Sequence, residues 1–512
     1  MKRLVAMMMC GGLLLAACGS DGESATTDAP ATTESAGATD ASTAAPTTAS
    51  STAPSTASTS AATSEVPSTS SEVTATTVVP TTATDDASAD GVLRVPSEFE
   101  TIQAAVDAAA PGDLVLIEPG TYREAVDVVT DEITIRGLDR DAVVLDGALE
   151  LDNGIRVLGA SGVAVENLTA MNYTNNGIFW LSATGYRASY ITTYRTGDYG
   201  IYAFDSVEGQ IEHAHTIGSR DGGVYVGQCY PCDAVLDDVI SSYNGLGYSG
   251  TNSGGNLLIV NSVFHNNRVG VVPNSGSYEL CYPERETTIV GNLVYDNNQG
   301  DTSGIDVALL AQGNGILVAG GIRNTVERNR VDDHFRTGIG MVPYLEEAPN
   351  DDQPTEDQWT MTCDEQKALP TEIPEGSVLW DSLQNTIVDN VVTNSGEADL
   401  AVASAGGDIS TFGNCFAGND FTTSAPTDLE QLAPCGGEGS GGDWTAGDLN
   451  VVRWIAEQAD LPPEVPWQEA PLPELGEHEN MPDAESAPPK PATDVPYAVD
   501  LDAITTPELP AG

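Results

Sequence analysis

Basic residues are scarce in this sequence. Its 512 residues hold 19 lysines and arginines against 76 aspartates and glutamates, a formal net charge of −57 at pH 7. Residues 91–435 keep 50 of the acidic and 15 of the basic residues, about −35. A field of this sign repels nucleic acids and anionic lipid surfaces, which excludes both as partners, and it disfavours polyanionic glycans unless cations bridge them.

Long apolar runs are missing too. The run Leu4–Ala17 follows a positively charged start and is shorter than the about 20 residues that span a bilayer, so it predicts an export signal over residues 1–17. The signal ends in Leu-Ala-Ala-Cys18-Gly, which resembles the bacterial lipobox. The resemblance implies that Cys18 is lipidated and that the lipid alone holds the protein at the extracytoplasmic face of the cell membrane.

Residues 18–90 contain no aromatic side chain and consist mainly of Ser, Thr, Ala and Pro. Such a chain cannot bury enough apolar surface to offset its ordering entropy, which predicts a disordered tether. Residues 436–512 are expected to hold a short helix within Ala446–Ala456, which would cap the folded body, followed by an extended tail rich in proline and acidic residues.

Six cysteines follow the signal and Cys18: Cys229, Cys232, Cys281, Cys363, Cys415 and Cys435. An even number in an exported chain predicts disulfides. Cys415 and Cys435 are expected to pair, closing a loop worth roughly 3 kcal/mol. Cys229 and Cys232 are expected either to pair with each other or to pair with Cys281 or Cys363. In the first case, Cys281 and Cys363 are expected to form a bridge that ties the two insertions together.

A glycine followed by isoleucine or valine recurs at a step of 23 residues. It stands at Gly154, Gly177, Gly200 and Gly223, and the phase returns at Gly270, Gly315 and Gly338. A second apolar column keeps the step at Val165, Ala188 and Ile211. A fixed period in the low twenties with short β-runs predicts a solenoid of stacked coils, each rising by about 4.8 Å. Insertions interrupt it at about 273–286 and 343–379.

The start of this solenoid, Thr101-Ile-Gln-Ala-Ala-Val-Asp-Ala-Ala-Ala-Pro-Gly-Asp113, resembles that of pectin-lyase-like β-helices. The apolar spacing in this stretch predicts a short helix that covers the first coil, and the preceding Ser97-Glu-Phe-Glu100 predicts Ser97 as its N-cap. With the repeats, the resemblance implies an all-β fold, a single-stranded right-handed parallel β-helix over residues 91–435. That superfamily includes lyases, esterases, hydrolases, epimerases and binding proteins. The signatures of pectin methylesterases and polygalacturonases are missing, so no catalytic residue is carried over.

Stacking makes neighbours of equivalent positions. Asp198 and Asp221 stand two residues before successive repeat glycines, as does Asn175 one coil earlier. We expect their carboxylates about 5 Å apart, with Arg220 nearby. Paired carboxylates can act as general acid and base or hold Ca²⁺. Asp198, Asp221 and Arg220 are therefore the candidate catalytic residues.

Phe179, Tyr202 and Tyr225 stand two residues after the same glycines, in the outward phase of a strand. They predict a ladder of three exposed rings, with Arg195 nearby. Flat rings pack against pyranose faces, so these four residues are the candidate substrate-binding residues for an extracellular polysaccharide. The protein is expected to act as a monomer that binds or processes carbohydrate.

Two alternatives remain. Stacked aromatics and turn acids also occur for purely structural reasons in solenoids, which leaves a non-catalytic surface or adhesion protein. His213 and His215 are two residues apart and are candidate metal ligands, as in a copper-handling β-helix protein. The acidic stretch Glu346–Asp352 is a second place that suits Ca²⁺, and the cofactor is otherwise open.

Overall fold

The computed structural model describes residues 90–458 and 465–510, which belong to one compact unit. The predicted signal peptide, Cys18 and the tether up to residue 89 lie outside the described residues. Within those ranges, no helix combines the length and the apolar character needed to cross a membrane.

The body is a parallel β-helix in which each coil contributes to three ladders of strands. The first ladder stacks β1 (Val92–Val95), β2 (Leu114–Ile117), β5 (Thr134–Gly137), β8 (Val163–Met171), β10 (Thr184–Thr196), β12 (Val207–Glu212), β15 (Ala234–Asp237), β18 (Gly254–Val260), β21 (Arg285–Val290), β24 (Thr325–Glu327), β29 (Thr386–Val388) and β32 (Cys415–Ala417).

The second ladder follows the first around each coil. It stacks β3 (Gly120–Tyr122), β6 (Val143–Asp146), β13 (His215–Ser219), β16 (Ile240–Ser242), β19 (Val263–His265), β22 (Leu293–Tyr295), β25 (Arg330–His334) and β30 (Val391–Ser395). The long strands β8 and β10 turn the corner and serve both ladders, so the two form one 20-stranded sheet.

The third ladder is a separate sheet of eleven strands. It stacks β4 (Val126–Val128), β7 (Ile155–Leu158), β9 (Ile178–Leu181), β11 (Ile201–Phe204), β14 (Gly222–Gly227), β17 (Leu246–Thr251), β20 (Val269–Asn274), β23 (Ile316–Ala319), β26 (Thr337–Val342), β31 (Ala398–Val402) and β33 (Ser424–Ala425). An antiparallel pair, β27 (Tyr344–Glu346) and β28 (Val378–Trp380), lies outside the coils.

The predicted 23-residue register is confirmed on both sheets. Ile155, Ile178, Ile201 and Val224 are successive partners in the third ladder, and Val165, Ala188 and Ile211 are partners in the first. These apolar side chains are buried in the core. The repeat glycines are needed because the coils approach closely: a Cβ at Gly177 would lie 2.6 Å from the Gly200 carbonyl oxygen.

Left-handed backbone turns mark the corners of the coils. Between the first and second ladders the corner is formed by Asn167, Tyr190, His213, Asp238 and Asn261, with φ between 48° and 56°. A residue with positive φ breaks the alternation of a strand, so side chains on either side of it no longer follow the two-residue rule.

In the described residues five short α-helices accompany the coils: α1 (Ile102–Ala108), α2 (Asp306–Leu310), α3 (Cys363–Lys367), α4 (Leu429–Leu432) and α5 (Val452–Glu457). The N-cap of α1 is Thr101, whose hydroxyl accepts from the Ala104 N–H at 3.1 Å, and not Ser97 as predicted. The carboxylate of Glu124 satisfies two further N–H groups at this end, which a local motif could not reveal.

Helix α5 overlaps the segment Ala446–Ala456 predicted to be helical, but it lies on the side of the β-helix. Its Trp454 packs against Leu246, Val269 and Val342 on the third ladder. Beyond it, residues 465–507 run along the sheet of the first two ladders and are tied down by Arg136, Arg195 and Arg330, each of which donates to carbonyl groups of the tail.

The six cysteines within the described residues form three disulfides: Cys229–Cys232, Cys281–Cys363 and Cys415–Cys435. The predicted pairing of Cys415 with Cys435 is confirmed, and the two alternatives for the other four resolve into a local bridge and a long one. The long bridge joins the insertion after β20 to the insertion that carries α3. The two insertions predicted from the sequence are therefore tied to each other.

Candidate functional site

The outer face of the third ladder is covered unevenly. Its C-terminal half carries Val272, Leu317 and Val342, which are buried beneath α2 and Trp454 of α5. Its N-terminal half carries aromatic side chains that are only half-buried. The candidate site lies on this N-terminal half.

The predicted aromatic ladder is present. Phe179, Tyr202 and Tyr225 are successive partners on β9, β11 and β14, with ring centroids 4.9 Å and 4.7 Å apart. Tyr199, which precedes a repeat glycine, stacks on Tyr202 at 4.5 Å with the two rings almost parallel. Phe204 lies on the other side of Tyr202 at 5.7 Å. The result is an apolar platform about two coils wide.

Tyr225 is not part of the exposed platform, which corrects the expectation of three exposed rings. It is only 1% exposed, because the insertion after β20 folds over it. Its hydroxyl donates to Glu279 at 2.5 Å. The neighbouring Tyr278 hydroxyl accepts from the Asn274 amide at 2.6 Å, which fixes the insertion over the next two coils. The platform therefore ends at Tyr202 on this side.

The acidic column also stacks as predicted. The backbone N–H of Asp198 donates to the carbonyl of Asn175, and that of Asp221 to the carbonyl of Asp198, both at 3.0 Å. Asp221 is 6% exposed and its Oδ1 has no hydrogen-bond partner among the described residues. Burial, reinforced by the nearby charge of Asp198, raises the pKa of Asp221 to about 7. Burial also raises the pKa of Asp198.

A third carboxyl group, that of Glu279, completes the cluster. Burial raises its pKa to about 8, with a smaller contribution from the charge of Asp221. Glu279 belongs to the insertion and so has no place in the repeat, which is why the period could not reveal it. The sequence does carry one signal that this loop is anchored, namely the cysteine at position 281, two residues after Glu279.

The two predicted arginines have different environments. Arg220 precedes Asp221 in the chain, and its positive charge offsets part of the rise in the pKa of both Asp198 and Asp221. Arg195 does not join them. It occupies a corner with φ 56°, and its guanidinium donates to the carbonyls of Trp467, Gln468 and Ala470 at 2.8–3.1 Å. It holds the C-terminal tail in place.

Two further contacts define the rim of the platform. Lys367, at the end of α3, forms an ion pair of 2.7 Å with Asp205, which is adjacent to Phe204. On the opposite side, the ring of Trp467 lies against Gly197, where a Cβ would come within 3.1 Å of it. The insertion that carries α3 and the C-terminal tail thus approach the site from its two sides.

His213 and His215 do not point to a common place. His213 occupies a corner with positive φ, stacks on Tyr190 at 4.5 Å and bonds Asp238 at 2.6 Å. His215 faces the tail, where its Nδ1 lies 3.1 Å from Nε2 of His478. The left-handed backbone at His213 removes the alternation from which a shared face for the two side chains was expected.

The acidic stretch near β27 has structural contacts. Glu346 is buried and accepts hydrogen bonds from the backbone and hydroxyl of Ser277 and from Trp380, while Asp351 accepts from the backbone N–H of Glu372. Across the described ranges, no three His, Cys, Asp or Glu side chains are grouped so that they could hold a metal ion. The Ca²⁺ hypothesis stays a prediction.

A comparison with known families matches residues 153–343 to the family described as right handed beta helix region. The match spans β7 to β26 and agrees with the parallel coils seen here. No curated protein matches the sequence.

Several solved structures are similar at low identity. The A-module of mannuronan C-5 epimerase AlgE4 from Azotobacter vinelandii is 14% identical, with a TM-score of 0.42, over 65% of this chain and 92% of that one. An alginate lyase from Paenibacillus sp. str. FPU-7 is 13% identical, with a TM-score of 0.33, over 63% and 95%. The catalytic domain of a GH87 alpha-1,3-glucanase is 13% identical, with a TM-score of 0.32, over 64% and 68%. Likeness at this level does not indicate what the present chain binds.

Proposed function

We propose that this protein is an exported, lipid-anchored β-helix protein that binds a polysaccharide on the Phe179–Tyr202 platform and hydrolyses its glycosidic bonds. The observation that carries the proposal is the position of three carboxyl groups beside a half-exposed aromatic platform. Aromatic faces supply apolar contact for sugar rings, and carboxyl groups supply hydrogen bonds and protons. The lipidation of Cys18 and the extracytoplasmic location rest on the sequence alone.

The environments of Asp221 and Asp198 divide the catalytic roles. A buried carboxyl group with a pKa of about 7 retains much of its proton at neutral pH and can deliver it to the glycosidic oxygen. Asp198 is less buried and lies beside Arg220, so it is the group that acts as the carboxylate. It then either attacks the sugar carbon or activates the incoming water, as in other carboxylate-pair glycosidases.

The test is a glycan array followed by reducing-sugar assays on every glycan that binds. The double variant Phe179→Ala/Tyr202→Ala should lose binding. The matched control is Tyr190→Ala, which removes a stacked surface ring from another corner of the same coils and should bind normally. Asp221→Asn should retain binding and lose hydrolysis by 10²-fold or more, the scale of a missing general acid.

Two results would refute the proposal. If no glycan binds the wild-type protein, the site is not a carbohydrate site. If Asp221→Asn and Asp198→Asn leave all hydrolysis unchanged, the acids are structural and the protein is a binding protein on the cell surface.

A further inference from the structure

The platform is closed at one end and open at the other. Toward the C-terminal coils, Glu279 covers Tyr225, and Tyr278 covers the coils that follow. Toward the N-terminal coils, the column continues from Phe179 to Arg156, which is half-buried and paired with Asp127 through two bonds of 2.9 Å and 3.0 Å. A chain lying along the ladder can therefore leave only past Phe179.

The length of the open part is about two coils. The Phe179 and Tyr202 centroids are 4.9 Å apart, close to the length of one pyranose unit, so two rings offer stacking to about two sugars. The acids Asp198, Asp221 and Glu279 stand at the closed end, next to Tyr199 and Tyr202. The reactive bond would then lie near the end of the bound chain.

Each of the four cations described at the site is engaged. Lys367 pairs with Asp205, Arg156 pairs with Asp127, and Arg195 is bound by carbonyl groups of the tail. The positive charge of Arg220 favours the ionised form of the two stacked aspartates, Asp198 and Asp221. A carboxylate brought in by a hexuronate would be a fourth acid in a cluster that already holds three. Burial is the main cause of the raised pKa values of these acids, and the same loss of water would disfavour a charged carboxylate brought in by a ligand.

From this geometry we infer that the ligand is the end of an uncharged glycan chain, bound through its last two sugars. The inference rests on the proposed function and specifies the substrate class of the same site. It sets this protein apart from β-helix proteins that act on uronate polymers, because its site would reject such polymers through charge.

The experiment is calorimetric titration of the wild-type protein at pH 7 with two series of linear oligosaccharides, two to six residues long. The neutral series comprises α-1,3-, α-1,4-, β-1,3- and β-1,4-linked glucans and β-1,4-mannan. The anionic series comprises oligomannuronate and oligogalacturonate. We expect binding to at least one neutral series, with a Kd that changes by less than about threefold beyond two or three residues. Uronates of equal length should bind at least about tenfold more weakly, a difference of 1.4 kcal/mol.

Two variants separate charge from shape. Glu279→Lys places a cation at the closed end and should shift the preference toward uronates by tenfold or more. Glu279→Gln keeps the hydrogen-bonding shape without the acid and should keep the preference for neutral chains. Circular dichroism establishes that both are folded.

The outcomes distinguish the two levels of the argument. Uronates that bind as tightly as neutral chains, or an affinity that rises steadily to six residues, would overturn the inference and leave the proposed function standing. Binding to neither series would overturn both.

Discussion

The variant Asp221→Asn should stabilise the protein at alkaline pH and not at acid pH. In the folded protein the pKa of Asp221 is about 7, against 3.8 for an unperturbed aspartate. An acid whose pKa is raised by folding binds protons more tightly in the folded state. Well below pH 4 it is protonated in both states and costs nothing, and as the pH rises to 7 its ionisation increasingly favours the unfolded state.

The magnitude follows from the difference in pKa. A difference of about 3, at ~1.36 kcal/mol for each unit, gives up to about 4 kcal/mol of destabilisation above pH 7. Asparagine has nearly the same shape and no charge, so the substitution removes this cost. The gain in the free energy of unfolding should grow from near zero at pH 4 to several kcal/mol at pH 8.

The assay is urea unfolding of wild type and variant at pH 4, 6 and 8, followed by tryptophan fluorescence. The matched control is Asp107→Asn, which changes an exposed aspartate on α1 and should have a small effect with no trend in pH. A constant difference across the three pH values, or a less stable Asp221→Asn protein at pH 8, would refute the claim that Asp221 is held in an unfavourable environment. Hydrolysis should be lost in the same variant, which would show that stability is sacrificed for function.

The remaining predictions concern what holds the site together. Replacing Cys281 and Cys363 by serine removes a bridge across 82 residues, which should lower the free energy of unfolding by roughly 4.5 kcal/mol. Glycan binding should weaken as well, because the loop that carries Glu279 is released. Unchanged binding in titrations would contradict this. Arg136→Met leaves the fully buried Glu166 without one of its two arginines and removes three bonds to the tail, so it should cost about 3–5 kcal/mol and expose the tail to limited proteolysis. The exposed ion pair of Arg94 is the control, since Arg94→Met should cost no more than about 1 kcal/mol.

The repeating part of the site could be predicted from the sequence. Once the 23-residue step is recognised, Asp198 must lie beside Asp221 and Phe179 beside Tyr202, because the coils are of equal length and stack in register. Arg220 needed no such step, because it is adjacent to Asp221 in the sequence. Periodicity converts sequence distance into spatial contact, and it needs no further information to do so.

The parts that could not be predicted are those that leave the period. Glu279 reaches the acids from an insertion, and its position depends on a bridge whose partner is 82 residues away. The tail binds Arg195 through backbone carbonyl groups, which every residue type carries, so the identity of the tail residues gives no sign of this contact. The corner position of His213 could not be predicted for a different reason: histidine carries no signal for positive φ comparable to that of glycine or asparagine.

The covering elements explain why the site lies where it does. A β-helix offers the same kind of face at every coil, so its ladders alone do not select one place for binding. Here the tail occupies the sheet of the first two ladders, where it satisfies buried arginines such as Arg136 and Arg140. Helix α2, and helix α5 through its Trp454, cover the C-terminal half of the third ladder. The aromatic platform lies on the part of the third ladder that these elements leave accessible, and the insertion with Glu279 closes one end of it. The specificity of the site would then be decided by the irregular segments, while the regular coils decide only its spacing.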